Sequence, residues 1–133
     1  MKKSHTIFCF LIVSASSLLS QEVDYSKLTG PYLGQKRPGI IPEVFARGIV
    51  SSPEKNEFAA SFSPAGTEFY FNRGLKIMVC TLDNGLWRAP VPVSFSAGFP
   101  AHEAYVPFDD RGVYWGWFKD GGYGIYYNER SGT

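Results

Sequence analysis

Phe58-Ala59-Ala60-Ser61-Phe62-Ser63-Pro64-Ala65-Gly66-Thr67-Glu68-Phe69-Tyr70-Phe71 is the stretch that decides the fold. Phe58 to Phe62 alternates as a half-buried strand does, and Thr67 to Phe71 returns as a second one. Ser63-Pro64-Ala65-Gly66 joins them as a tight turn, because Pro pre-sets φ at about −65° and Gly accepts a permissive final position. Lys76 to Leu82 is predicted as a third strand after the turn at Asn72-Arg73-Gly74. Asn84-Gly85 is the strongest two-residue hairpin signal in the chain, and it leads into a short fourth strand at Leu86-Trp87. The expectation is one four-stranded antiparallel meander.

The pattern recurs downstream. A shift of 44 residues lays Ala104 to Trp115 beneath Ala60 to Phe71, matching Phe62 with Val106, Phe69 with Val113, Tyr70 with Tyr114 and Phe71 with Trp115. Farther on, Ile77-Met78-Val79 finds its counterpart in Ile125-Tyr126-Tyr127, offset by 48. The extra residues are assigned to a longer loop at Phe118-Lys119-Asp120-Gly121-Gly122. A period in the forties with four short strands per unit is the spacing of a propeller blade.

Upstream, Glu22 to Gly39 is polar and turn-rich, with Gly30-Pro31, Gly34 and Pro38-Gly39, and reads as an extended lead-in over 21–41. Val44-Phe45-Ala46 and Gly48-Ile49-Val50 suggest a short strand ended by Pro53. Lys2-Lys3, the apolar run Ile7 to Val13 and small residues up to Ser20 have the form of a secretory signal peptide, 1–20, cleaved near Gln21. Ser14, Ser16 and Ser17 interrupt that run far short of the about 20 apolar residues a spanning helix needs. No stable membrane span is expected after processing, and the destination is periplasmic or secreted.

Phe62 to Phe71 resembles the F-S-P-D-G-x-x-x-Y-F motif of TolB-like (WD-like repeat) β-propellers. Pro42 to Ser51 is similar to the segment that often precedes the first such repeat, and Ile77 to Trp87 to the strand, acidic-Gly turn and Trp that follow it. Ala65 departs from the motif's Asp, and the second copy reads Phe108-Asp109-Asp110-Arg111-Gly112. The resemblance implies an all-β fold of antiparallel four-stranded propeller blades, a partial β-propeller over 42–133. Repeat one covers about 57–100 and repeat two about 101–133, the latter stopping at Thr133 where the family continues to a Trp and a fourth strand. Two units are too few to close a propeller. The chain is therefore expected to be part of a longer one, an early-terminated reading frame, or a piece that assembles with others, with an aromatic face left open at each end.

Composition narrows the chemistry. Removing 1–20 leaves 11 Lys plus Arg against 12 Asp plus Glu, a net charge of −1, which gives no footing for nucleic acid. His102 and Cys80 are then the only His and Cys, so a site with several such ligands is excluded, as is an intrachain disulfide. No metal, cofactor or catalytic residue is expected. Ser94-Phe95-Ser96-Ala97-Gly98 lacks the Gly-x-Ser-x-Gly spacing of a nucleophile elbow. Asp109-Asp110 reads as turn chemistry, because neighbouring side chains point apart and make poor joint ligands. In Tyr114-Trp115-Gly116-Trp117-Phe118, alternation sends Tyr114 and Phe118 to one face and Trp115 and Trp117 to the other, which suits packing between units better than a sugar platform. Cys80 reads as a small buried hydrophobe. His102-Glu103, at the entry to the second repeat, is the candidate ligand-binding pair. The expected function is a non-enzymatic module binding protein or glycan. The alternative is the propeller portion of a larger exported hydrolase, a serine peptidase or polysaccharide-degrading enzyme.

Overall fold

The structure, a computed structural model, describes residues 23–105 and 111–129, with the side chains of Glu103, Phe118 and Lys119 left aside. The expected signal segment, the Asp109-Asp110 turn and the chain after Glu129 lie outside the described residues. What is described is all-β with antiparallel sheets. Among the described residues no helix is long and apolar enough to cross a membrane.

The first sheet runs β1 (Glu57–Phe62), β2 (Glu68–Arg73), β3 (Lys76–Asp83) and β4 (Leu86–Trp87), in that order. A further short strand, β5 (Val91–Pro92), also pairs with β3. Leu86 and Trp87 oppose Asp83 and Leu82, while Val91 and Pro92 oppose Val79 and Met78, so β4 and β5 form one broken outer strand. The break has a chemical cause: Pro90 and Pro92 carry no N–H for the ladder, and proline is confined to edges and strand ends. The second sheet runs β6 (Ala101–Tyr105), β7 (Gly112–Lys119) and β8 (Gly122–Glu129).

The turns follow their residues. Ser63 accepts at its carbonyl from Gly66 N–H at 2.8 Å, and its hydroxyl accepts from Glu68 N–H at 3.1 Å. A buried serine thus ties down the turn that holds Ala65. Asn84 (φ 50°) and Gly85 (φ 79°) are both left-handed, the conformation a type I′ hairpin requires.

The strand registers of the two sheets follow the 44-residue offset and place the added residues elsewhere than in the loop. Phe58 pairs with Asn72 and Ser61 with Tyr70; 44 residues on, His102 pairs with Gly116 and Tyr105 with Tyr114. Both edge strands carry a bulge at the same place, between Phe58 and Ser61 and between His102 and Ala104. Tyr70 opposite Val79 becomes Tyr114 opposite Tyr127, an offset of 48 on the partner strand. The added residues do not lengthen the loop. Asp120-Gly121 is a two-residue turn with both φ values positive (49° and 79°), and the insertion extends β7 and β8 instead.

The two sheets stack. Tyr70 and Ile77 of the first share a core with Ala101, Ala104, Val113 and Trp115 of the second, with Val93 from the connection. Asn72 donates its amide N–H to the Ala101 carbonyl at 3.0 Å across the seam. On the opposite face of the first sheet, Phe69, Phe71, Met78, Cys80 and Trp87 form a second core.

That second core is completed by the segment expected to be an extended lead-in, 21–41, together with residues 42–51, expected to open the propeller region. Residues 23–51 fold back over the Phe69–Phe71 face, burying Leu33, Ala46, Ile49 and Val50 against it. Thr29 bridges to Leu86, the Trp87 indole N–H donates to the Gly30 carbonyl at 2.8 Å, and Trp87 N–H donates to the Leu28 carbonyl at 2.9 Å. At the other end the Arg73 guanidinium donates to the Ile49 and Val50 carbonyls at 2.8 and 3.2 Å. The glycines and prolines here do not keep the chain extended. They permit a single helical turn at Pro31–Gly34 in which Tyr32 and Leu33 sit in the left-handed region (φ 54° and 53°). The turn drives Leu33 into the core at zero exposure. Nor do residues 44–50 form a strand. Ala46 is left-handed (φ 45°) and its carbonyl accepts from Ile49, Val50 and Ser51 N–H, making a compact turn.

Candidate functional site

His102 and Glu103 are placed by the bulge of β6. The bulge inserts Glu103 between His102, which pairs with Gly116, and Ala104, which pairs with Trp115. Bulges re-aim side chains at strand edges and recur near functional sites. The same bulge sits at Ala59-Ala60 in β1, where Ala59 is left-handed (φ 52°), so it belongs to the repeat and not to His102 alone. His102 is half-buried, and its ring lies 6.2 Å from that of Phe58, so the two edge strands meet there. The Glu103 side chain lies outside the described set. Among the described residues no group of three or more His, Cys, Asp or Glu could hold a metal ion. Ser94 is exposed in a turn, its carbonyl accepting from Ala97 N–H at 3.1 Å. Cys80 is buried and free, and burial pushes its thiol up to about 12, which leaves it a protonated hydrophobe.

The larger feature is the face on which His102 stands. Pairing places His102, Tyr105, Tyr114, Gly116, Tyr123, Ile125 and Tyr127 on one side of the second sheet. Tyr105, Tyr114, Tyr123, Ile125 and Tyr127 are exposed there, Ile125 at 66%. The Tyr114 and Tyr127 rings lie 4.7 Å apart. Tyr123 and Tyr127 lie flat because two glycines admit them: a Cβ at Gly116 would run into the Tyr123 ring, and one at Gly112 into the Tyr127 ring. On the reverse side the Trp115 and Trp117 rings each lie 5.2 Å from that of Tyr126, tilted against it. The expected division of Tyr114 from Trp115 and Trp117 is therefore present, and Trp115 is spent on packing against the first sheet.

A second concavity, about 700 Å³, opens between the lead-in and the first sheet, walled by Tyr32, Ile41, Phe45, Phe62 and Phe69. A Lys36–Glu43 ion pair at 3.1 Å stands beside it. It is apolar, with no convergent set of groups for catalysis among the residues that line it.

The sequence reading singled out His102 and Glu103 but passed over Tyr105, Tyr123 and Tyr127. The signal was available in the offsets. Tyr70, Ile77 and Val79 form the face of the first sheet turned to the second, and their equivalents are Tyr114, Ile125 and Tyr127. Comparison with protein-family models, with curated proteins and with solved structures returns no match for this chain.

Proposed function

We propose that this chain is an exported, non-enzymatic binding module, two consecutive units of a TolB-like propeller stack. Its working surface is the exposed tyrosine face of the second sheet. One observation carries the reading. The face made of Tyr114, Ile125 and Tyr127 repeats, position for position, the Tyr70, Ile77 and Val79 face that the first sheet buries against the second, yet it is exposed. Contiguous exposed apolar faces mark interaction sites. Tyrosine suits that role, with a rigid apolar body and a polar tip. The partner class is protein, since an antiparallel sheet presenting alanine, valine and tryptophan side chains is what covers the equivalent face within the molecule.

Nitration of the processed protein with tetranitromethane tests the reading. Tyr114 and Tyr127 are expected to react well before Tyr70, which is 5% exposed. A third unit appended in frame, with the sequence of residues 101–129, is expected to protect both. If the appended unit leaves their nitration rates unchanged, the face is not a stacking surface.

A further inference from the structure

The two ends of the stack are complementary to each other. Within the molecule, the Tyr70 and Ile77 face of the first sheet meets the Ala104, Val113 and Trp115 face of the second. Shifting each by one repeat gives two surfaces that do not meet. The exposed face of the second sheet carries Tyr114 and Ile125, and the far face of the first carries Ala60, Phe69 and Phe71 at the places of Ala104, Val113 and Trp115. The chemistry of that far face fits the role. Glu57 and Arg73, at the places of Ala101 and Trp117, pair at 3.0 Å, and Lys76, opposite Arg73, stands exposed at the edge of the same face. In this structure it is covered by the folded lead-in.

We propose that the exposed face of the second sheet is a docking site for the first sheet of a second copy of this chain, and that the lead-in is the competitor that holds this association off. The proposal rests on the reading of the tyrosine face as a binding surface and names its partner. The argument is continuity with an interface the molecule already makes: a second copy, its lead-in displaced, continues the same sheet-on-sheet packing in the same register. Such contact is heterologous, one face against a different one. It therefore yields a ladder of species or a ring, whereas a two-fold pairing of tyrosine faces would stop at a dimer. The lead-in is suited to compete because it already occupies that face. Leu33, Ala46, Ile49 and Val50 pack against it, and Trp87 and Arg73 hydrogen-bond to the segment's carbonyls, while Ile40 and Ile41 are left exposed between them.

Sedimentation velocity over a hundredfold concentration range decides it, using the full processed chain, Leu33→Ala, Trp87→Phe, and each of these combined with Ile125→Lys. The unsubstituted chain is expected to be mainly monomeric. Leu33→Ala and Trp87→Phe should both associate at concentrations at least tenfold lower, as a series of species. Ile125→Lys should return both to monomer. In the associated material, trypsin should cut after Lys36 faster than in the monomer, and Tyr127 nitration should slow. Trp87→Phe keeps the ring in the core, so it carries the test if Leu33→Ala fails to fold by circular dichroism. Association that survives Ile125→Lys, or species that stop at a dimer, would overturn the proposal. Variants that stay monomeric with Tyr127 still reactive would overturn the choice of partner and leave the binding face standing. If Tyr127 resists nitration in the monomer itself, the underlying reading falls as well.

Discussion

Leu33→Ala and Ile40→Ala, seven residues apart in the lead-in, should behave as though they belonged to different proteins. Leu33 has zero exposure and packs into the core beneath Phe69, Phe71 and Trp87, whereas Ile40 is fully exposed at 102%. Removing buried methyl groups from a Leu costs about 2–5 kcal/mol, from lost transfer energy and the cavity left behind. The left-handed backbone at Leu33 (φ 53°) is disfavoured for Ala and Leu alike and cancels from the difference. An exposed apolar truncation stays within about 0.5 kcal/mol. For a domain of this size about 1 kcal/mol moves the melting temperature by roughly 4–8 °C. Leu33→Ala should therefore melt at least about 8 °C lower and Ile40→Ala within about 4 °C of the unsubstituted chain. Urea titration checks the same quantity, the midpoint falling while the slope holds. An unpaired lead-in would make both substitutions neutral. If Leu33→Ala melts with the unsubstituted protein, the folded cap is wrong.

Arg73→Met should cost about 1.5–3 kcal/mol by urea titration, because the Ile49 and Val50 carbonyls lose a charged donor and Glu57 its partner. Gly85→Ala places a Cβ at φ 79° and should cost about 1–2 kcal/mol, while Gly39→Ala, where φ is not positive and the space is open, should be near neutral by the same assay. Cys80 should resist thiol reagents until unfolding. Its folded thiol is raised by burial from 9.0 to about 12, so the unfolded chain loses that proton first and stability falls as pH rises between those values. Cys80→Ala should flatten that alkaline limb. Mass spectrometry of exported material should find the N-terminus near Gln21, and recovery of chain beginning at Met1 from membranes would contradict the signal-peptide reading.

The strands were legible because their signals are local. Alternation at Phe69, Tyr70 and Phe71, and Asn84-Gly85 at a turn, report on a few residues at a time, and the structure has β1 to β4 near where that reading expects them, except that Asn72 and Arg73, expected in a turn, extend β2 and the turn falls at Gly74-Leu75. The offset of 48 at Ile125 was legible too, but not its meaning. Whether four added residues enlarge a loop or lengthen two strands depends on where the turn closes, which Asp120 and Gly121 settle through positive φ at both positions. The lead-in was misread for a different reason. Gly30, Pro31 and Gly34 are turn chemistry on any local reading. That they bend the chain so that Leu33 meets Phe71 and Gly30 meets Trp87 is a contact across 57 positions in the second case, for which no periodicity exists. The candidate site shared that limit. His102 drew notice as a chemically distinctive residue, while the tyrosines beside it become a surface only once sheet register puts them on one face.

The folded lead-in also changes the energetics of the two sheets. The sequence alone argues that both outer faces of two units stand open, and each large side chain left in water forgoes roughly 1.5–3 kcal/mol against a net stability of about 5–15. With residues 23–51 in place, Phe69 and Phe71 are 3% and 1% exposed, so one of those faces is closed. An outer apolar sheet face needs such a cover, and here residues 23–51 supply it. The second sheet keeps an exposed face of Tyr114, Ile125 and Tyr127, and it has the weaker hold on its outermost strand. The residues of β8 are mostly exposed, and the described part of the second sheet has no fourth strand beyond it, whereas β3 is flanked by β4 and β5. Local opening should therefore begin at β8 and spare β2, which is buried on both sides. Hydrogen exchange distinguishes the two orders of opening directly. Amides of Tyr123 to Asn128 should exchange well before those of Phe69 to Asn72. The reverse order would mean that the lead-in does not hold the first sheet together.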